Sequence, residues 1–324
     1  MRAVRVERFG GPEVLETAEA PDPVARPGQV VIEVAVADTL FVETQIRAGA
    51  ARQWFAVEPP YVPGGAVAGR VGAVGEGADA SWAGRTVVAY TPNAQGGYAE
   101  RVAVPAESLI PVPEGLEPER AAALMHDGVT GFGVFDAAEV KPGDWVLVTA
   151  AAGGMGVMLV QLARAAGARV AAAARGERKL DLARRLGADL AVDYTEPGWA
   201  ERVREATGGA GPDVVFEGAG GEIGRAAFAI AAPGARYSAH GAPSGGFSPI
   251  DPAEAGRRRI TVRGIQDVQF SMAERQRLAA RALAEAAAGR LRPVIGRTFP
   301  LDRAAQAHAA IEAREILGKA LLLV

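Results

Sequence analysis

Cysteine is absent from the 324 residues, which excludes disulfides, thiolate nucleophiles and every metal site built on thiolates. No apolar run approaches about 18 residues, so a membrane-spanning helix is not expected. The opening MRAVRVERFG lacks an apolar signal core, so secretion is not indicated and a cytoplasmic protein is expected. The net charge of −3 provides no basic surplus for neutralising phosphates and argues against a nucleic-acid binder. Lysine is scarce, with Lys141, Lys179 and Lys319 standing against abundant arginine and alanine. Aromatics are few, yet nearly half the residues are apolar, and the length allows two domains with substantial cores. A soluble globular enzyme fits these limits.

The strongest positive signal is Trp145–Arg175. An apolar run, Trp145–Val148, enters a small-residue turn, Ala150-Ala151-Ala152-Gly153-Gly154-Met155-Gly156. A helix-patterned segment follows and stops at Gly167, and a second apolar run, Val170–Ala174, ends at Arg175. Strand, glycine turn, helix and strand make one βαβ unit carrying a dinucleotide fingerprint, with Ala151 where the first glycine usually sits. Small residues let a pyrophosphate approach the backbone, and the helix start offers unpaired N–H groups and a positive dipole end. A site that prefers NAD places an acid at the end of the second strand, to accept from the ribose 2′-hydroxyl. Here Ala174 is followed by Arg175, with Arg178 and Lys179 close behind. The missing acid and the added cations predict NADPH. For Arg178, a solvated first turn of the next helix is an equal alternative.

Residues 1–118 read as β-rich, with valine-rich runs at Ala3–Val6, Val30–Val36, Ala68–Val74, Thr86–Tyr90 and Ala99–Val104. Gly and Pro punctuation between them predicts a compact antiparallel, barrel-like domain. Pro118–Ala138 turns helical. Strand and helix then alternate, with strands at Leu190–Val192, Asp213–Phe216, Ala235–Ala239 and Ile260–Val262, and helices at Glu177–Leu186, Trp199–Thr207 and Glu222–Ala232. That alternation predicts an α/β class with a doubly wound parallel (Rossmann) sheet. Ser271-Met272-Ala273-Glu274 reads as a capping box opening a helix, Leu301–Ala313 as the last long helix, and Ala320–Val324 as a strand returning to the first domain. The expected division is a β-rich catalytic domain of residues 1–118 with 267–324, and a dinucleotide domain of residues 119–266. The run Arg257-Arg258-Arg259 reads as a solvated edge rather than an anion site, and Arg259–Gly264 as a segment able to extend a sheet across a two-fold axis.

The order of barrel domain, Lys-Pro-Gly-Asp (141–144), AAAGGMG, Leu-Gly-Ala-Asp (186–189), Thr-Gly-Gly (207–209) and a closing Gly-Lys (318–319) resembles the medium-chain dehydrogenase/reductase superfamily. Within it, the zinc-free quinone oxidoreductase branch is the nearest likeness. The resemblance implies NADPH as cofactor, a quinone or enone as substrate and a homodimer. Gly153, Gly154 and Met155, with Ala152 before them, match the pyrophosphate loop. Lys179, Tyr194 and Arg314 match residues around the adenosine 2′-phosphate, with Lys319 in the closing Gly-Lys, although Arg314 also reads as a cation at a helix end. Thr130 falls where the family contacts the nicotinamide ribose or ring, and Gly218 and Gly241 fall in loops lining the nicotinamide side. The zinc ligands of the alcohol dehydrogenases fall on Leu40, on Gly65 within Gly64-Gly65-Ala66, and on His126, so no metal is expected. Leu40 and Gln45 replace an Asn and an aromatic usual in the quinone reductases, which bears on the substrate.

His126 carries two readings: a proton donor near the reacting carbon, or a helix-start histidine packed for structure. Tyr61, Tyr90 and Tyr98 lie in loops of the barrel-like domain and read as packing residues, with lining of the cleft as the alternative. The expected mechanism is direct hydride transfer without a metal, with His126 or water supplying a proton. An enoyl or enone reductase of specialised metabolism, and a non-catalytic NADPH-binding protein, stand as alternatives.

Overall fold

The computed structural model describes every residue from Met1 to Val324, and the chain divides into two compact units, Met1–His126 with Met272–Val324, and Asp127–Ser271. The first division lies beyond residue 118 because the helix Pro118–Ala122 packs on the strands of the β-rich unit.

Asp127–Ser271 is built on six parallel strands. Across the sheet they run Leu190–Asp193, Arg169–Ala174, Trp145–Thr149, Val214–Glu217, Arg236–Ala239 and Thr261–Gly264. Numbered along the chain, this is the order 3-2-1-4-5-6 of a Rossmann sheet, whose direction of winding reverses between the first and fourth strands. The central strands are buried along nearly their whole length, because helices cover both faces.

The β-rich unit is organised by one long strand, Gln29–Asp38. One of its edges pairs along Val30–Ala37 with Ala66–Val74. The other edge pairs first with Arg101–Pro105 and then with the C-terminal strand Lys319–Leu323, both antiparallel. Two register shifts, at Val31/Ile32 and Val34/Val36, let the strand bend so that a curled sheet closes over an aliphatic core. The terminal strand thus returns to the first unit, as expected, and also pairs in parallel with Ile295–Pro300.

Among the elements that carried no assignment in the sequence are the strands Leu15–Glu19 and Ile295–Pro300, and the helices Phe41–Arg47 and Pro252–Arg258. The last of these corrects the reading of the arginine run. Arg258 is not a solvated edge; its guanidinium donates to the carbonyls of Phe228 and Ala231, satisfying the end of the helix Gly221–Ile230, and lies over the Phe228 ring. No helix is long and apolar enough to cross a membrane.

The core of the β-rich unit encloses one histidine. His308, on the helix Ala304–Glu312, is fully buried, with Nε2 3.0 Å from the Tyr98 hydroxyl. That hydroxyl donates to Glu43, so Nε2–H of His308 donates to Tyr98 and Nδ1 is left with no partner. Burial, reinforced by the Arg47 charge, pushes this imidazole down to about 3. Above the ordinary value near 6.5 it is neutral whether folded or not, and its contribution to stability is complete. Below that, only the unfolded chain takes up the proton, so stability falls with pH until the folded value is reached. Between pH 6.5 and 5 this one group should remove about 2 kcal/mol. Urea unfolding at the two pH values should show that loss in the wild type and a correspondingly smaller one in His308→Gln; equal losses would contradict a neutral buried His308.

Candidate active site

The parallel unit gathers its distinctive residues at the carboxyl ends of the strands, on either side of the reversal in winding. The turn after Trp145–Thr149 passes through Ala150, which adopts a left-handed φ of 50°, and leads to Gly153, the residue before the helix Gly154–Ala165. The first bond of that helix runs from Val157 N–H to the Gly153 carbonyl, so the amides of Gly154, Met155 and Gly156 have no intrahelical acceptor. A Cβ on Gly156 would lie 2.3 Å from the Ala150 carbonyl oxygen, so the last glycine of the fingerprint is required by close contact of helix and turn. Ala151 is fully buried in the place of the first glycine.

Val214–Glu217, the neighbouring strand, delivers a second loop. Gly218 N–H donates to Thr149 Oγ1 at 2.9 Å, tying this loop to the end of the fingerprint strand. Glu217 Oε1 accepts from Thr149 Oγ1 and from the amides of Ala219 and Gly220, while Oε2 is buried without a partner. Burial raises this carboxyl above its usual range in spite of those bonds. A Cβ on Gly241 would lie 2.2 Å from the Gly218 carbonyl oxygen, so these two loop glycines meet backbone to backbone. His240, pressed against Gly218, is pushed down to about 4 by loss of hydration and is neutral near pH 7.

The strand Arg169–Ala174 ends without the acid of NAD-preferring sites: Ala174 is buried and Arg175 is exposed. A carboxylate arrives instead from the next strand. Asp193 accepts from the Gly176 amide at 2.7 Å through one oxygen and from Thr195 N–H and hydroxyl through the other. Partial burial opposes its charge, but those bonds and nearby Arg175 hold it below the usual range. Both oxygens are therefore engaged in shaping the turn. Lys179 lies on the first turn of the helix Glu177–Arg185, and the half-buried Tyr194 packs against the core around Val192 and Trp199.

The β-rich unit holds a separate polar cluster. His126 Nδ1 lies 2.9 Å from Asp38 Oδ2, and Lys319 Nζ lies 2.7 Å from Asp38 Oδ1. The sheet explains this meeting: Leu321 pairs opposite Asp38, so Lys319, two residues earlier, projects on the same face just beyond it. Asp38 is fully buried. Burial alone would raise its carboxyl, but the Lys319 charge and the His126 bond outweigh that and hold it below the usual range. The Tyr90 ring packs edge-on to His126, and its hydroxyl donates to the Met125 carbonyl. Glu43 ties the floor together, accepting from the amides of Leu40 and Gly65 and from the Tyr98 hydroxyl. Thr130 follows His126 by one turn on the helix Met125–Ala138.

Two residues expected at the cofactor lie in the β-rich unit. Lys319 belongs to the β-rich unit, is almost fully buried, and has its ammonium on Asp38 and the Thr39 carbonyl, which leaves no role for it on a nucleotide phosphate. Arg314 lies in the same unit, at a left-handed position (φ 60°) following the helix Ala304–Glu312. Asp38, the partner of His126, was missed. The only available signal was an aspartate closing a run of alternating apolar residues.

Residues 26–114 match the family described as the alcohol dehydrogenase GroES-like domain, and residues 154–284 match zinc-binding dehydrogenase. The chain is 33% identical to a 2-haloacrylate reductase of Burkholderia sp. over 99% of this chain and 98% of the relative. It is 32% identical to the quinone oxidoreductase of Rattus norvegicus over 100% of this chain and 98% of that one. It belongs to the quinone oxidoreductase-like branch of the medium-chain dehydrogenase/reductase superfamily. Among solved structures, an NAD-dependent alcohol dehydrogenase superposes with a TM-score of 0.90 at 34% identity, covering 100% of both chains. The quinone oxidoreductase of Escherichia coli, complexed with NADPH, gives 0.91 at 25% identity, again over 100% of both.

One of the two family matches carries a zinc-binding description, and the residues here do not fit that ion. The fold does bring together Leu40, Gly65 and His126, the residues on which the resemblance would put the zinc ligands. Glu43 bridges the amides of Leu40 and Gly65, and a Cβ on Gly65 would lie 3.2 Å from His126 Nε2. The trio nonetheless supplies one donor, and no three His, Cys, Asp or Glu side chains converge anywhere in the chain. The same geometry yields a test. Asp38 restrains the His126 ring, so Gly65→Ala should crowd its Nε2 edge and lower turnover several-fold with nucleotide affinity unchanged. Wild-type turnover in this variant would remove His126 from the neighbourhood of the reaction.

Proposed function

We propose that this protein is an NADPH-dependent reductase that transfers a hydride to a quinone or an α,β-unsaturated carbonyl without a metal ion. The observation that carries this reading is the Ala150–Gly156 turn, with its free helix-start amides and a glycine that no side chain can replace, followed one strand later by Ala174-Arg175 in place of a ribose-binding acid. Ala152, Gly153, Gly154 and Met155 would hold the pyrophosphate, Arg175 and Lys179 the 2′-phosphate, and Tyr194 the adenosine side. Gly218 and Gly241, lacking side chains where two loops touch, would let the nicotinamide lie against backbone, with Thr130 at its ribose. NADPH, when bound, supplies a hydride from C4 of its nicotinamide.

The substrate's developing oxyanion must be met by N–H or O–H donors of the protein. His126 is the proposed source of the balancing proton. The relatives' names span quinones and 2-haloacrylates, both alkenes conjugated to a carbonyl or carboxyl group, which supports an electron-poor acceptor. A homodimer belongs to the same reading: Thr261–Gly264 is an edge strand with Val262 exposed, and pairing across a two-fold axis would cover it.

The deciding measurement is NADPH against NADH consumption with 1,4-benzoquinone, a cyclic enone and a linear enone, with metal analysis of the same sample. NADPH should be preferred, and Arg175→Ala combined with Lys179→Ala should raise its KM by about tenfold or more while that for NADH changes little. Preference for NADH, stoichiometric zinc, or failure to oxidise either nucleotide with any acceptor would each overturn the proposal.

A further inference from the structure

The cluster around Asp38 is more elaborate than reduction of a quinone requires. A quinone that accepts a hydride becomes a hydroquinone anion, whose oxygen takes its proton from water. An alkene conjugated to a carbonyl becomes an enolate, and its α-carbon must then be protonated to complete the product. Carbon is protonated slowly by water, so an acid fixed in the site helps this second chemistry far more than the first.

The cluster is built to present such an acid. Asp38 is wholly enclosed and held at both oxygens, by Lys319 at 2.7 Å and by His126 at 2.9 Å. Lys319 is itself anchored, donating to the Thr39 carbonyl at 3.1 Å. A carboxylate so restrained accepts from Nδ1–H, which keeps one proton on Nδ1 and makes Nε2 the nitrogen that gains and loses the other. Nε2 has no hydrogen-bond partner in the protein, its edge lies against the bare Gly65, and the His126 side chain keeps 23% of its surface exposed. The nearby alternatives are engaged: the Tyr90 hydroxyl donates to the Met125 carbonyl at 2.6 Å, and Glu43 accepts three bonds.

We propose that the acceptor is an alkene conjugated to a carbonyl or carboxyl group, and that Asp38 and Lys319 are positioning residues that present the Nε2 proton of His126 to its α-carbon. The proposal rests on the hydride-transfer reading above. The hydride forms the new C–H bond at the β-carbon, and the alkene's π pair moves onto the α-carbon and carbonyl as an enolate. That pair takes the proton from Nε2 of the imidazolium, leaving neutral imidazole, which recovers a proton from water. One hydride and one proton saturate the double bond, and Asp38 stays a carboxylate throughout.

Two measurements test it. The first uses the holoenzyme in D₂O with 2-methylcyclohex-2-enone and 2-chloroacrylate, whose α-carbons become stereocentres on reduction. Wild type should place deuterium at the α-carbon with one configuration. His126→Gln should turn over about 100-fold or more slowly and give product of mixed α-configuration, and the charge-removing pair Asp38→Asn with Lys319→Met should show the same loss of configuration. The second reads nitrogen-15 spectra of the protein without nucleotide, which has only three histidines. His126 should carry its proton on Nδ1 in wild type and on either nitrogen in the paired variant. Racemic product from wild type, unchanged configuration in His126→Gln, a neutral wild-type His126 with its single proton on Nε2 instead of Nδ1, or reduction of 1,4-benzoquinone alone would overturn the proposal. A parallel run with NADPH deuterated at C4 separates the two levels: no label at the β-carbon sinks the hydride reading itself, whereas β-label with random α-configuration sinks only the role of His126.

Discussion

An ionised carboxylate with no access to water organises the β-rich unit. Removing a charge of that size from solvent costs several kcal/mol even after the protein relaxes. Asp38 tolerates burial because one oxygen meets an ammonium and the other an imidazole N–H. Each partner is thereby constrained as well. The ring of His126 cannot turn without abandoning a charge, and Lys319 cannot serve any other anion. The curled strand Gln29–Asp38 makes the arrangement possible, because its far end leaves Asp38 opposite the C-terminal strand rather than at a free sheet edge.

The parallel unit obeys a different constraint, the distance of approach between stretches of main chain. Gly156 against Ala150, and Gly241 against Gly218, are contacts at which even a methyl group would collide with a carbonyl. Buried Glu217 then fixes the second loop from below by collecting two of its amides. Donor groups and open surface are thus provided by the backbone itself, which is why small residues cluster at these turns.

That difference decides how much was legible in the chain. The parallel unit was readable because buried strands appear as short apolar runs, helices end at glycines such as Gly167 and Gly187, and the winding order follows from alternation. The family resemblance added the roles expected of the loop glycines. The β-rich unit was less readable. Leu15–Glu19 is mostly exposed, so its composition does not look like a strand. The helix Phe41–Arg47 starts at Leu40 without a side-chain cap of the usual kind, its first amide being met instead by Glu43. Asp38 and Lys319 are polar residues whose pairing depends on a sheet register closed across most of the chain, and no local pattern reports that. Lys319 was therefore assigned to the wrong anion, and Asp38 was passed over in favour of no partner at all.

The register that unites these residues also orders events during biosynthesis. Lys319 emerges 280 residues after Thr39, whose carbonyl it caps, and after the whole of the nucleotide-binding unit. Domains fold as units while the chain lengthens. The parallel sheet can therefore be complete while Asp38 still waits in a half-built sheet, its charge open to water and its histidine untethered. The nascent chain acquires its parallel sheet first and the partners of its buried carboxylate last.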